Sequence, residues 1–315
     1  MVPVYNGTKY LAETLDSVVA QGFDESEMQI EVIDDCSTHD DAEVLVRTRY
    51  DNRVLFYRQP QRVGMAGNWN TCIQRAKGSL IHILHQDDFV ASGYYEEIKN
   101  LADNYPDVGL YSTRTFSVDE QSIIMGMTRR IGELEQPAKA VEPFFYQTPI
   151  QCAGVTVRRT SYEALGGFSP DLGYVTDCEM WARITSAHRA VVSPKVLASY
   201  RQCDGTETHR VSRTAEGIKA ICRLNDIFAQ RYAGFSVERG RARVAAAAWE
   251  GYLRFKLSGD HAAAAANWEM WVQLTPPQQR LAQYLGMYVQ RAHRLGVLGT
   301  ASRIAAKLSW QSSLK

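Results

Sequence analysis

The sequence has little that would staple it, anchor it in a bilayer or spread it along a polyanion. Six cysteines (Cys36, Cys72, Cys152, Cys178, Cys203 and Cys222) stand in 315 residues with no CxxC and no regular spacing. That pattern excludes a disulfide framework and reads as reduced thiols. A zinc site from Cys178, Cys203 and His209 would lack ligand spacing. No uninterrupted apolar run reaches the ~18 residues of a membrane span. The opening Met1-Val2-Pro3-Val4-Tyr5 has neither the basic n-region nor the apolar h-region of a leader, so the expectation is a cytoplasmic protein. An excess of one charge is also missing. Lys plus Arg number 35, Asp plus Glu 35, and the formal net charge is +0, which argues against bulk binding of nucleic acid. No disordered tract interrupts the chain. A content of 45% hydrophobic against 22% charged residues suffices for one large core with an appendage.

One absence is local. After Glu269 no acid remains, while Arg280, Arg291, Arg294, Arg303, Lys307 and Lys315 follow. Leu281, Leu285, Tyr288, Ala292 and Leu295 fall on one helical face opposite arginines, and Ile304 and Leu308 repeat the pattern. Such a basic amphipathic helix suits the surface of an anionic membrane. It equally suits a helix packed on the rest of the chain with its cationic face in solvent.

What is present begins with alternation. Val2 to Tyr5, Ile30 to Ile33, Val54 to Tyr57, Leu80 to Leu84 and Val108 to Tyr111 read as strands, with helical periodicity from Tyr10 to Val19 and near 41 to 50, 66 to 77 and 92 to 104. This order predicts an α/β fold with a mainly parallel, doubly wound sheet. The first strand is only about four residues against a usual ~5–6, so either the true start lies upstream or the sheet tolerates a stub. Residues 115 to 160 break the alternation with short apolar runs and Pro137, Pro143 and Pro149. From about 211 the pattern is helical, including a hairpin from Ala245 to Trp271 broken at Gly259-Asp260. The organisation expected is a domain over 1–210 and a helical region over 211–315.

Two carboxylate pairs stand where apolar strands end. Ile30-Glu31-Val32-Ile33 runs into Asp34-Asp35, and Leu80 to Gln86 runs into Asp87-Asp88. One Asp after a strand is commonly a turn residue or a helix cap. Two pairs, each after a buried strand, place four carboxylates at the carboxyl edge of an open sheet, where they can hold a hard cation and a polar ligand.

These residues carry a resemblance. Pro3-Val4-Tyr5-Asn6-Gly7, Val32 to Thr38, Gly64 to Asn70 with Ala76-Lys77-Gly78, His85-Gln86-Asp87-Asp88, and Gly166-Gly167-Phe168 followed by Asp177 to Arg183 resemble, in this order, the family 2 glycosyltransferases with a GT-A fold. The match covers roughly residues 1 to 205, and it is the order of five weak motifs that makes it specific. It implies inverting transfer of a sugar from a nucleotide-diphosphate donor, UDP- or dTDP-sugar favoured, to the hydroxyl of a saccharide or lipid-linked acceptor. The expected setting is assembly of cell-surface polysaccharide or glycolipid, on the cytoplasmic face of the membrane and in peripheral contact with it. By the same resemblance Asp35 binds the base beside the Pro3-Tyr5 loop, Asp87 the ribose, and Asp88 a Mg²⁺ or Mn²⁺ that bridges the diphosphate. Asp177 becomes the general base, where the residues alone would suggest a helix cap worth ~1 kcal/mol.

Other assignments have plainer rivals. Glu179 would position the acceptor or else lie on a solvated helix face. Arg62, Arg201 and Arg210 would contact phosphate or else be surface arginines. Trp69 reads as core. Many relatives carry a His soon after Tyr-Arg near the metal or diphosphate; here Cys203 takes that place and His209, after an Asp204-Gly205-Thr206 turn that can form a lid, is the candidate to reach the metal and diphosphate. An acid common before the base is replaced by Thr176. Two other readings are a nucleotide-sugar-binding protein without turnover, and a metal-dependent hydrolase or nucleotidyltransferase using the same carboxylates. The P-loop form of the latter is disfavoured by the absence of its glycine-rich signature.

Overall fold

The computed structural model describes residues 1–131, 144–145, 149–203, 206–277 and 280. The amphipathic tail beyond Arg280, and Pro137 and Pro143, lie outside the described residues.

Valine and isoleucine runs form strands because their branched side chains pack on a pleated, buried surface. β1 (Val2–Val4), β2 (Glu31–Asp34) and β3 (Leu55–Arg58) pair in parallel, with Pro3 opposite Ile33 and Val4 opposite Asp34. The Met1 amine donates to the His82 carbonyl at 2.9 Å, and the Leu84 N–H donates to the Met1 carbonyl at 3.1 Å. Those two bonds set β4 (Leu80–His82) beside β1, where the three-stranded sheet meets a six-stranded one. Next come β8 (Val155–Arg158), antiparallel to β4 and to β6 (Leu110–Val118), then β9 (Ala190–Arg201), parallel to β6, and β5 (Phe89–Val90), antiparallel to β9. β7 (Ile124–Met127) forms a hairpin with β6. Because β1, β2, β3, β4, β6 and β9 all run the same way, their carboxyl ends share one edge. β8 comes from the 115–160 stretch whose pattern carried no strand signal, and its reversed direction makes this part of the sheet mixed.

Helices α1 (Thr8–Val19), α2 (Ala42–Tyr50), α3 (Gly64–Arg75) and α4 (Tyr94–Asn104) follow β1, β2, β3 and β5, close to the expected spans. α1 buries Leu11, Thr14, Leu15 and Val18, one stripe at helical spacing. These side chains join Val2, Val4, Val32, Leu84 and Val90 in the main core.

By packing, the chain falls into two compact units, 1–240 and 241–315. The first also holds α5 (Arg159–Leu165), α6 (Thr176–Ala187), α7 (Glu207–Arg213) and α8 (Glu216–Arg231), the last burying Ile218, Leu224 and Phe228. Most of α9 (Val237–Ser258) and all of α10 (His261–Leu274) lie in the second. There the helical hairpin turns at Gly259, whose φ of +82° favours glycine, and Asp260 caps α10 by accepting from the Ala263 N–H at 3.1 Å. Trp249, Trp268 and Trp271 pack with ring centroids 4.9 to 6.2 Å apart.

One loop of the first unit is pinned with particular care. Asn70 on α3 donates to the Phe168 carbonyl at 2.9 Å and accepts from the Phe168 N–H at 2.7 Å. Gly167 must be glycine, since a Cβ there would stand 2.1 Å from Asn70 Oδ1. From α6 the Arg183 guanidinium donates to the carbonyls of Leu165, Gly166 and Gly167. Glu179 in turn pairs with Arg183 at 2.9 Å and with Arg231 on α8. Glu179 is therefore neither acceptor-facing nor solvated: it is 2% exposed and spent in this ion network. The loop so held leads through a 3-10 helix (Pro170–Val175) into α6. Replacing Asn70 with Leu keeps its approximate volume but leaves both polar groups of the Phe168 backbone unpaired. The expected loss is about 2–3 kcal/mol of unfolding free energy, read as a lower urea midpoint with an unchanged m-value.

Candidate active site

The shared carboxyl edge gathers the predicted residues in three groups. In the first, the Asp34-Asp35 pair divides its labour. Asp34, fully buried, pairs with Arg58 Nε at 2.7 Å and accepts from Ser37. Asp35 accepts the Val63 and Gly64 N–H groups at 2.7 and 2.9 Å, one on each carboxylate oxygen, at the entry to α3. Burial pushes its pKa up, against the lowering effect of those two hydrogen bonds and of Arg62. Arg62 lies over the Tyr5 ring, 4.0 Å from its centroid. The Tyr5 N–H donates to Gln86 Oε1 at 2.8 Å, tying this loop to the second acidic segment. Pro3 does not join them at the edge, being buried within β1.

The second group is the segment after β4. Asp88 is 1% exposed; its Oδ1 accepts the Arg201 N–H at 2.9 Å, and its buried Oδ2 has no partner. Thr14 Oγ1 braces the segment from α1, within hydrogen-bond distance of the carbonyls of Gln86 (2.9 Å) and Asp88 (2.8 Å). Burial and the neighbouring Asp87 raise the pKa of Asp88 well above the ordinary range, and burial raises that of Asp87. Beside them, His85 stacks on Trp69 with ring centroids 4.7 Å apart and 22° between planes, and its buried Nε2 is also without a partner. Burial pulls the His85 pKa down to about 4, so the imidazole is neutral at neutral pH. Among the described residues, donor atoms of His85, Asp87 and Asp88 lie within 4.8 Å of one another. A buried carboxylate oxygen with no partner, a second carboxylate and a neutral imidazole form a donor set that fits a divalent cation.

The third group comes from the pinned loop and β9. Asp177 stands at the start of α6, and its Oδ1 accepts the N–H of Cys178 at 2.7 Å. Burial raises its pKa. Thr176 before it is fully buried and donates to the Ser169 carbonyl at 3.0 Å, so this departure from the family pattern serves the loop. Tyr200 links the groups: burial and the negative charges of Asp88, Asp87 and Asp177 push its hydroxyl up to about 12, while a hydrogen bond with Thr208 on α7 acts the other way. His209, also on α7, is half-buried and lies outside the close set of donor atoms; its N–H donates to Thr206 Oγ1 at 3.3 Å.

Arg201 departs from expectation, whereas Arg210 is exposed and fits the surface reading. Arg201 is 1% exposed and wholly committed to protein partners, so it is neither a phosphate clamp nor a surface residue. Arg210 is held by Glu207 at 2.8 Å and Glu216 at 3.1 Å. Sequence reasoning missed His85 and Tyr200. The only available signal was alternation, which sets His85 two residues before Asp87.

The family model described as Glycosyl transferase family 2 matches residues 1–166. The uncharacterized protein MT1568 of Mycobacterium tuberculosis is 26% identical over 230 residues, covering 69% of this chain and 70% of that protein. The poly(ribitol-phosphate) beta-N-acetylglucosaminyltransferase TarS of Staphylococcus aureus is 29% identical over 91 residues, covering 29% of this chain but only 16% of TarS. In structure, TarS 1–349 in complex with UDP-GlcNAc superposes with a TM-score of 0.61 at 16% identity, covering 87% of this chain and 80% of that one. The mannosyltransferase PcManGT of Pyrobaculum calidifontis, in complex with GDP-Man and Mn²⁺, gives 0.55 at 22% identity, covering 98% and 84%. These likenesses establish the GT-A fold.

The raised pKa of Asp177 makes a stability prediction. The folded state holds this proton more tightly than the unfolded chain does. The group therefore favours folding below the unfolded value of ~3.9, and that contribution is lost as pH rises through the folded value. Asp177→Asn is expected to melt above the wild type at pH 7.5, with the gap closing as pH falls towards 4. A gap independent of pH would remove burial of the charge as its cause.

Proposed function

Because the chain belongs to glycosyl transferase family 2 and is therefore a glycosyltransferase, we propose that it transfers a sugar with inversion from a nucleotide-diphosphate donor to an acceptor hydroxyl in a metal-dependent reaction. The observation that carries this is the convergence at one sheet edge of Asp88, with its unpartnered buried oxygen, and Asp87, near enough to Tyr200 that their charges and that of Asp177 all act on its hydroxyl.

On this reading Asp35 accepts a hydrogen bond from the nucleobase, with Tyr5 and Arg62 forming the wall beside it. Asp87 takes the ribose and Asp88 is the principal ligand of a Mg²⁺ or Mn²⁺ cation. When bound, that cation offsets the charge that develops on the departing diphosphate. His209, brought in on α7, contacts the diphosphate. Asp177 removes the acceptor proton as the acceptor oxygen bonds to the anomeric carbon and the bond to the diphosphate oxygen breaks on the opposite face. Its raised pKa moves the acidic limb of the activity profile upward, because the base acts only when ionised.

The donor class is inferred from the UDP-GlcNAc and GDP-Man complexes of the structural neighbours. The acceptor class, a saccharide or lipid-linked polymer of the cell surface, follows from the poly(ribitol-phosphate) named for TarS. Among the described residues no helix is long and apolar enough to cross a membrane; contact with an anionic inner membrane surface is assigned to the tail.

The test is a thermal-shift panel of UDP, GDP, dTDP and CDP with and without Mn²⁺. One nucleotide at ~100 times its Kd stabilises by about 2.7 kcal/mol, only with metal, and this shift is absent in Asp88→Ala. Asp177→Asn retains the shift but loses about 10²–10⁴-fold in transfer from the matching nucleotide-sugar. A folded sample that responds to no nucleotide would end the proposal.

A further inference from the structure

Resting on that reading of the site, we propose that His85 supplies a nitrogen ligand to the cation beside Asp88 and Asp87, so that the site selects a transition-metal ion such as Mn²⁺ over Mg²⁺.

The starting point is an unmet polar group. Asp88 Oδ2 is buried and without a partner, a native interior rarely leaves such an atom unpaired without a reason, and the ring nitrogen that faces it is His85 Nδ1. His85 Nδ1 stands 3.6 Å from Asp88 Oδ2. That is too long for a hydrogen bond. It matches the separation of two donors that share one ion, since ligands at about 2.0–2.3 Å from a common centre lie roughly 3–4.5 Å apart. The ring is not free to turn elsewhere. Trp69 stacks on one face at 4.7 Å and is itself wedged edge-on against Phe168 at 5.0 Å, so the loop that leads to Asp177 also fixes the direction of the imidazole.

Ligand chemistry then sets the selectivity. Mg²⁺ requires hard oxygen donors in near-octahedral array and gives up water reluctantly. An imidazole favours first-row transition ions, and its presence beside two carboxylates shifts preference towards them. The other imidazole assigned near the diphosphate, that of His209, is not among the close donor atoms, so the two histidines make opposite predictions.

The experiment is pulsed EPR of the full chain loaded with Mn²⁺, alone and with each of UDP, GDP, dTDP and CDP, read for coupling to ¹⁴N. Coupling is expected in the wild type and in His209→Ala, and is lost in His85→Phe, which keeps a ring on Trp69. The same variant should bind Mn²⁺ at least ~10-fold more weakly, and its Mn²⁺-to-Mg²⁺ affinity ratio should fall. His85→Asn provides the same comparison where His85→Phe does not fold. Nucleotide-dependent Mn²⁺ binding without ¹⁴N coupling, or coupling that survives loss of His85, overturns the ligand assignment and leaves the glycosyltransferase site standing. Absence of Mn²⁺ binding under every condition overturns both.

Discussion

The site depends on one buried cation. Arg201 ends β9, and almost every donor it owns is spent inside the protein. Its N–H binds Asp88 Oδ1 at 2.9 Å and its Nε the Asp87 carbonyl at 2.9 Å. Its terminal nitrogens reach the Asp119 and Glu120 carbonyls, Ser122 Oγ and, at 2.7 Å, Glu13 on α1. The guanidinium lies 4.2 Å from the Tyr10 ring centroid and 5.4 Å from that of Phe89. A buried charge is tolerated only when so fully paired. Here the pairing joins β9, α1, the β6–β7 turn and the acidic segment after β4, all at the edge where the carboxylates meet. A lysine would keep the charge but not the planar fork that reaches three other elements at once.

Two carboxylate pairs face this edge, and they differ. Consecutive residues of a strand point to opposite sides, so the first pair sends one acid into structure and the other to the start of α3. Asp34 is consumed by Arg58 and Ser37, which leaves Asp35 at the mouth of α3. In the second pair both acids retain acceptor capacity, because Arg201 meets Asp87 through its carbonyl and Asp88 through a single oxygen. The positive charge of Arg201 lowers both pKa values, but burial outweighs it and both end raised. The segment is thus not a closed salt bridge, and its donor atoms fit a cation.

How much of this was legible follows the range of the interactions. The strands and helices of the first half, the alternation that orders them and the acidic residues at strand ends are local patterns, and the structure has them within a few residues. Arg201 and Glu179 could not be read that way. Each looks like an ordinary surface charge in its own segment, and each is buried by partners far away in sequence, Arg201 by Glu13 and Glu179 by Arg231. Pro3 falls with the motif it belongs to, yet it sits inside the sheet. β8 was invisible because it is a short strand in a stretch broken by prolines, and its pairing with β4 and β6 is decided by the sheet it enters.

The two sides of the crevice are held by unlike means, and this bears on what each can do. On the β4 side the acidic segment is fixed by polar groups that leave Asp88 Oδ2 unpaired, so a ligand that pairs with it strengthens the fold it binds. On the α6 side Asp177 stands in the first turn of a helix that follows a loop clamped by Asn70 and Arg183, and its own carboxylate bonds to the backbone and side chain of the adjacent Cys178. A base needs this fixed position. The energy for the clamp comes from the Asn70 and Glu179–Arg183 contacts, away from the reacting atoms. Rigidity is thus supplied by residues that do no chemistry.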